Sequence, residues 1–228
     1  MSLSLPEGDG PLRRERLRTA RLYFVCEARP QSDLEALLRA ALTGGADIVQ
    51  LREKELGRAE IERAAETFRR VADTFSALFI VNDDPDLARS CDADGVHVGQ
   101  DDVSAEQARE LLGPDAIVGL STHSEEQIAA SAGRPVDYIS VGPIWETPTK
   151  AGRPGVGIEL IEHAAANAPH PFFAIGGIDA GNAEQVVAAG AERLCAVRAI
   201  RDAADPAAAA TELRQAFAAG ERGVAPGG

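Results

Sequence analysis

The chain has 228 residues, 45% hydrophobic and 26% charged, with a formal net charge of −13. That is enough apolar material for one large α/β domain, because barrels of this class run to about 200–250 residues undivided. The acidic balance excludes a general nucleic-acid binder, and any anionic ligand must be held by a local cluster of positive groups.

Cys26, Cys91 and Cys195 are odd in number, widely spaced and without a CxxC pattern, which reads as reduced, buried thiols of a cytoplasmic protein. No apolar run reaches membrane-spanning length, and Arg13-Arg14-Glu15-Arg16 is not followed by a signal-peptide apolar region.

A Gly/Pro/Ser-rich tail from Ser2 to Pro11 leads into a short arginine-rich helix over Leu12 to Ala20. Leu22 to Cys26 is the first strand. Ser32-Asp33-Leu34-Glu35 reads as a capping box, with Leu34, Leu37, Leu38 and Ala41 at helical spacing before the Gly44-Gly45 stop. Ala46 to Leu51 is the second strand, followed by a helix over Arg58 to Phe75. The third strand is Leu78 to Asp83, and Asp84-Pro85 caps a short helix.

Gly95 to Gln100 forms the fourth strand, and Ser104-Ala105-Glu106-Gln107 is a second capping box. Ala116 to Ser121 is the fifth strand, with Ser124 capping the next helix. The sixth strand runs from Asp137 to Val141 and stops at Gly142-Pro143, ahead of a helix near Ile158 to Asn167. Phe172 to Gly177 is the seventh strand, with Asn182 to Ala189 its helix. Arg193 to Val197 is the eighth, and Asp205-Pro206 caps a last helix to about Ala219.

Acids recur just before strands at Asp47, Asp94, Asp137 and Glu192, 47, 43 and 55 residues apart, roughly two strand–helix units each time. Eight strands alternating with helices predict a (β/α)₈ TIM barrel. A doubly wound open sheet fits less well, because no Gly-rich first turn follows Cys26. The expected organisation is a tail and short helix over residues 1–20, one barrel over 21–220, and a flexible tail over 221–228.

The chain contains two lysines against twenty-one arginines. Both Lys54 and Lys150 follow apolar strand-like runs, which suggests sites needing a compact, mobile point charge. Gln50, Arg52 and Lys54 fall at i, i+2 and i+4, so a persisting strand would point all three one way and turn Leu51 toward the helices. The plain alternative pairs Arg52 with Glu53 or Glu55 as a rim salt bridge. An anion site is the stronger reading, because two buried cations without counter-charge are costly.

Asn82-Asp83 ends the third strand and Asp101-Asp102 follows the fourth, so these carboxylates share one mouth of the barrel. Two carboxylates with substrate phosphates and waters are a usual way to hold Mg²⁺. Helix capping is the alternative role, for which Asp84 is better placed than Asp83. Ser121, Thr147, Thr149, Gly176-Gly177 and the Val197-Arg198 turn also lie at strand ends on that face. Phosphates in this architecture sit after the seventh and eighth strands, where backbone N–H groups converge. His97 and His123 carry no assigned catalytic role. No Walker A loop, GxGxxG, HExxH or Ser-His-Asp order is present.

These residues resemble the thiamine-phosphate synthase family in register from about Arg21 to Ala219. The match is carried by Gln50-Leu51-Arg52-Glu53-Lys54, Asn82-Asp83, Gly95 to Asp102, Ser121-Thr122-His123, Thr147-Pro148-Thr149-Lys150, and Ala174 to Ile178. The resemblance implies an enzyme joining a hydroxymethylpyrimidine diphosphate to a thiazole phosphate, with release of diphosphate. Gln50, Arg52, Lys54, Asn82, Ser121 and Lys150 would bind the pyrimidine diphosphate, with Arg52, Lys54 and Lys150 catalytic. Asp83 and Asp102 would hold Mg²⁺. Thr147, Thr149, Gly177, Val197 and the position of Arg198 would bind the thiazole phosphate.

The implied reaction is dissociative, diphosphate leaving first and the thiazole nitrogen then attacking a pyrimidine carbocation. Arg198 stands where the family pattern usually has a serine, and arginine can also grip phosphate. The expected partners are small phosphorylated substrates, with no nucleic acid and no membrane, and a homo-oligomer is compatible with all of this. A related thiazole tautomerase shares the barrel and a histidine near His123 but lacks the Thr-Pro-Thr-Lys loop. A phosphate sensor on the same fold would need only one anion site.

Overall fold

The structure is a computed structural model that describes residues 9–147 and 154–223, the last five of these as backbone alone. Eight parallel strands close in sequence order: β1 (Leu22–Cys26), β2 (Ile48–Leu51), β3 (Leu78–Asn82), β4 (Gly95–Val98), β5 (Ile117–Thr122), β6 (Tyr138–Val141), β7 (Phe172–Ile175) and β8 (Leu194–Ala196). Closure is made by β8 pairing with β1, Leu194 opposite Leu22. The expected (β/α)₈ barrel is the fold observed.

Strand alternation sorts the core into two layers. Phe24, Val49, Phe79, Val96, Val118, Ile139, Ala174 and Leu194 turn outward into the shell packed by the helices. Tyr23, Val25, Ile48, Ile80, Ile117, Tyr138, Phe173 and Cys195 turn inward and fill the cylinder. Helix α1 (Gly10–Thr19) adds Leu17 and Ala20 to that inner cluster. It therefore stoppers the end of the barrel where the strands begin, and the opposite end stays open.

The recurrent acids explain how the stoppered end is tied. Asp94 accepts from the Phe79 N–H, from Arg69 on α3 (Arg58–Phe75) and from Arg13 on α1. Asp137 repeats the motif with the Val118 N–H, with Arg109 on α5 (Ala105–Leu112) and with Arg14 on α1. Asp47 takes the Arg21 and Leu22 N–H groups together with Arg214 on α10 (Pro206–Gly223). Each acid accepts an N–H group near the start of a strand and anchors a helix, which satisfies buried backbone and charge together.

Most helix starts follow their sequence signals. Ser104 and Gln107 form a reciprocal capping box, Ser124 caps α6 (Glu125–Ala130), and Asp84 caps α4 (Pro85–Ser90). At α2 (Leu34–Thr43) the cap is Asp33, which accepts from Ala36, rather than Ser32. The carboxylate one residue later meets the same orphan donors. The fourth and seventh strands stop at Val98 and Ile175, two residues short of expectation, and a four-residue helix α9 (Arg198–Arg201) follows β8. Helices α7 (Glu159–Asn167) and α8 (Ala183–Ala188) complete the shell. Cys26 and Cys195 are buried while Cys91 is only partly so. Among the described residues no helix is long and apolar enough to cross a membrane.

Candidate active site

A cavity of about 650 Å³ opens at the carboxyl ends of the strands, a size suited to a small ligand. Its lining includes Gln50, Arg52, Lys54, Asn82, Asp83, Asp102, Ser121, Thr147, Gly177, Val197 and Arg198. Eleven sequence-predicted site residues thus meet on one mouth. Thr149 and Lys150 lie outside the described residues.

The first anion cluster is built from the ends of β2, β3 and β4. Strand β2 ends at Leu51, where the sequence predicts its end, so it does not persist to Lys54 and only Gln50 keeps the inward strand position. The chain turns because the Glu53 carboxylate accepts the N–H groups of both Lys54 and Glu55. That turn carries Lys54 to Asp83, Nζ to Oδ2 3.2 Å. The alternative of Arg52 as a rim salt bridge to Glu53 or Glu55 has no support among the described ion pairs, and Arg52 lines the cavity instead.

Asp83 has a backbone φ of 64°, the left-handed region that aspartate tolerates better than most residues. This sharp turn releases capping to Asp84, whose carboxylate accepts from Leu87 and Arg58, and turns Asp83 to the cavity. Asp102 folds back to accept the Gly99 N–H at 3.0 Å. Burial raises the Asp83 pKa first, then a hydrogen bond and repulsion from Asp102, with Lys54 pulling the other way. One ammonium therefore does not balance this carboxylate pair, and a hard cation would. Among the described residues no three His, Cys, Asp or Glu side chains gather as a metal cage. The donor set thus fits Mg²⁺ held by two carboxylates with the remaining oxygens from ligand and water.

The second cluster lies across the mouth. Gly176 has φ 107° and passes so close to Pro143 that a Cβ would stand 2.4 Å from the Pro143 Cα, so only glycine fits there. Gly177 follows with φ 73°, and Asn182 Nδ2 donates to its carbonyl, holding the loop in place. Thr147 is buried and Arg198 exposed, both on the cavity wall. Arg198 opens α9, and its charge helps keep Asp202 ionised, after the hydrogen bond and charge from Arg201.

Sequence reasoning missed the floor. Gln50 Nε2 donates to the Tyr23 hydroxyl at 2.6 Å, Tyr23 meets the Tyr138 hydroxyl at 3.0 Å, and Tyr138 meets His97 Nδ1 at 3.0 Å. His97 Nε2 continues to Ser121 Oγ at 3.0 Å and to Ser140 Oγ at 3.3 Å. The one available signal was inward parity: a tyrosine in a barrel interior must find a partner for its hydroxyl. His123 plays a separate part, its Nδ1 bonded to the Gly142 carbonyl.

The family model described as thiamine monophosphate synthase matches residues 22–200. The chain is 47% identical over 206 residues to thiamine-phosphate synthase of Acidothermus cellulolyticus, covering 89% of this chain and 97% of that one. It is likewise 47% identical over 199 residues to thiamine-phosphate synthase of Thermus thermophilus, covering 86% and 96%. Among solved structures, thiamine phosphate pyrophosphorylase from Pyrococcus furiosus superposes with a TM-score of 0.81 at 31% identity, over 92% of this chain and 98% of that one.

Proposed function

The chain belongs to the thiamine monophosphate synthase family, a transferase, and from that premise we propose how its mouth divides the work. The substrates are 4-amino-2-methyl-5-hydroxymethylpyrimidine diphosphate and 4-methyl-5-hydroxyethylthiazole phosphate, the second with or without a carboxylate. The products are thiamine phosphate and diphosphate. Gln50, Asn82 and Ser121 hold the pyrimidine, and Arg52, Lys54 and Lys150 hold its diphosphate. Thr147, Thr149, Gly177, Val197 and Arg198 hold the thiazole phosphate. We set the reaction in the cytoplasm, in keeping with an odd number of widely spaced cysteines without a CxxC pattern.

The observation that carries the reading is the Lys54–Asp83 contact beside Asp102, with Arg52 on the same wall. Negative charge grows on the departing diphosphate, so fixed cations stabilise the transition state more than the ground state. Asp83 and Asp102 would hold Mg²⁺, which when bound supplies further charge neutralisation for the leaving group. Once diphosphate departs, the carbocation needs only an oriented thiazole nitrogen. No strong general base is required, in keeping with His97 and His123 being engaged in structural hydrogen bonds.

The test is to mix both substrates with Mg²⁺ and follow diphosphate release. Stoichiometric release with thiamine phosphate is expected. Tight binding of both phosphates with no diphosphate formed would favour a sensor and overturn the catalytic reading.

A further inference from the structure

The floor network is arranged by the sheet register. His97 on β4 lies opposite Gly119 on β5, and Gly119 lies opposite Tyr138 on β6. With no side chain between them, the two rings stack at 5.4 Å and 28° and join through the 3.0 Å hydrogen bond. A Cβ at Gly119 would stand 2.2 Å from the Tyr138 ring and 2.5 Å from His97 Nδ1. The gap in β5 is therefore what lets the chain of bonds cross the barrel.

Each tyrosine hydroxyl has one proton, and burial raises both tyrosine pKa values, so both hydroxyls stay protonated. The Gln50 amide donates to Tyr23, so the Tyr23 proton goes on to Tyr138 and the Tyr138 proton to His97 Nδ1. The imidazole then carries its proton on Nε2 and gives it to Ser121, with Ser140 beside it. With the Gln50 amide donating to Tyr23, the direction of the whole chain follows from that one group. Two consequences reach the cavity wall. Gln50 has spent its N–H end on Tyr23 and turns Oε1, an acceptor, to the ligand. Ser121 has spent a lone pair on His97 and turns its O–H, a donor, to the ligand.

We propose that the Gln50–Tyr23–Tyr138–His97–Ser121 chain is a specificity device that makes the cavity floor present one acceptor and one donor, matching a 4-aminopyrimidine and rejecting its 4-oxo counterpart. The inference rests on the pyrimidine-binding reading above and adds Tyr23, Tyr138 and His97 to it as positioning residues. An exocyclic amine donates to Oε1 while a bare ring nitrogen accepts from Ser121. A 4-oxo ring offers an acceptor and a ring N–H in those places and meets like against like, which leaves buried polar groups unpaired.

Tyr138→Phe keeps the ring and its packing but removes the link to His97. The Tyr23 proton then has no acceptor on that side and turns back to Gln50, so the amide flips and offers its NH₂ to the ligand. Tyr23→Phe frees the same amide directly. The experiment measures kcat/KM for the 4-amino and 4-oxo hydroxymethylpyrimidine diphosphates in wild type, Tyr23→Phe, Tyr138→Phe and the double variant, with thiazole phosphate saturating. We expect the 4-amino preference to fall on the order of tenfold or more in each single variant, the worth of one buried hydrogen bond. The double variant falls no further, because the links act in series, and the KM for thiazole phosphate is unchanged. A merely structural role would slow both substrates alike, so an unchanged ratio in wild-type-like folded variants overturns the relay alone. Absence of diphosphate release by wild type from the 4-amino substrate would overturn the functional reading and the relay together.

Discussion

Arg13 Nε stands 3.0 Å from Asp94 Oδ1, and both side chains are almost wholly buried, at 6% and 7% exposure. This pair fastens the stopper helix to the acid that also collects Arg69 and the Phe79 N–H. Asp94→Ala would strand Arg13 and the Phe79 N–H at once and leave Arg69 only Asp73 and the Asp92 carbonyl. Breaking one side of a buried pair destabilises by about 3–5 kcal/mol, roughly 6–20 °C in Tm for a domain of this size. Denaturant titration checks the figure. Because Asp94 sits at the closed end, the folded fraction should keep its turnover.

Lys54 is the opposite case. Its side chain is 56% exposed and its partner Asp83 is 26% exposed, so the pair contributes at most about 1 kcal/mol to stability. Its electrostatic role toward a leaving diphosphate is worth far more. Lys54→Ala is expected to lower kcat/KM by roughly 10²–10³-fold while Tm hardly moves. Near wild-type turnover would remove Lys54 from the mechanism. Lys150→Ala is expected to lower turnover as well, on the role proposed for it at the diphosphate.

The barrel was legible because its signals are local: strand runs, caps and periodic acids each declare themselves within a few residues. The rim was legible because strand ends must face one mouth once the topology is known. Three things were not. The turn that brings Lys54 to Asp83 depends on Glu53 gathering two backbone N–H groups, which an i, i+2, i+4 count cannot foresee. The floor network joins Tyr23 to Tyr138 across 115 residues and His97 to Tyr138 across 41, partners that only closure and register bring together. Helix α9 escaped notice because four residues with no side-chain cap leave no periodic trace.

Asp83 ties stability to pH. Its pKa is raised by burial and by Asp102, so the native state keeps a proton that the unfolded chain has already lost. Its contribution is present below the ordinary aspartate range near 4 and disappears as pH rises through the native value. At neutral pH the ionised pair is a net liability. Asp83→Asn removes the charge, and asparagine tolerates the positive φ. The Tm difference, variant minus wild type, should be positive at pH 7 and shrink toward pH 4. A difference that is flat with pH would contradict the assigned cause.

The same imbalance makes a statement about Mg²⁺ that needs no turnover. If Asp83 and Asp102 share the ion, it binds the folded protein and not the unfolded chain, and raises stability by RT ln(1 + [L]/Kd), about 2.7 kcal/mol at a hundredfold excess over Kd. Inorganic diphosphate should strengthen the effect, since two carboxylates leave most of the coordination shell to other oxygens. Wild type is therefore expected to gain Tm with Mg²⁺ plus diphosphate beyond the sum of either alone. Asp102→Asn should lose most of that synergy while retaining the shift from diphosphate alone, because Arg52 and Lys54 still meet the anion. Calorimetry across the four combinations reads both effects, and full synergy in Asp102→Asn would place the ion elsewhere.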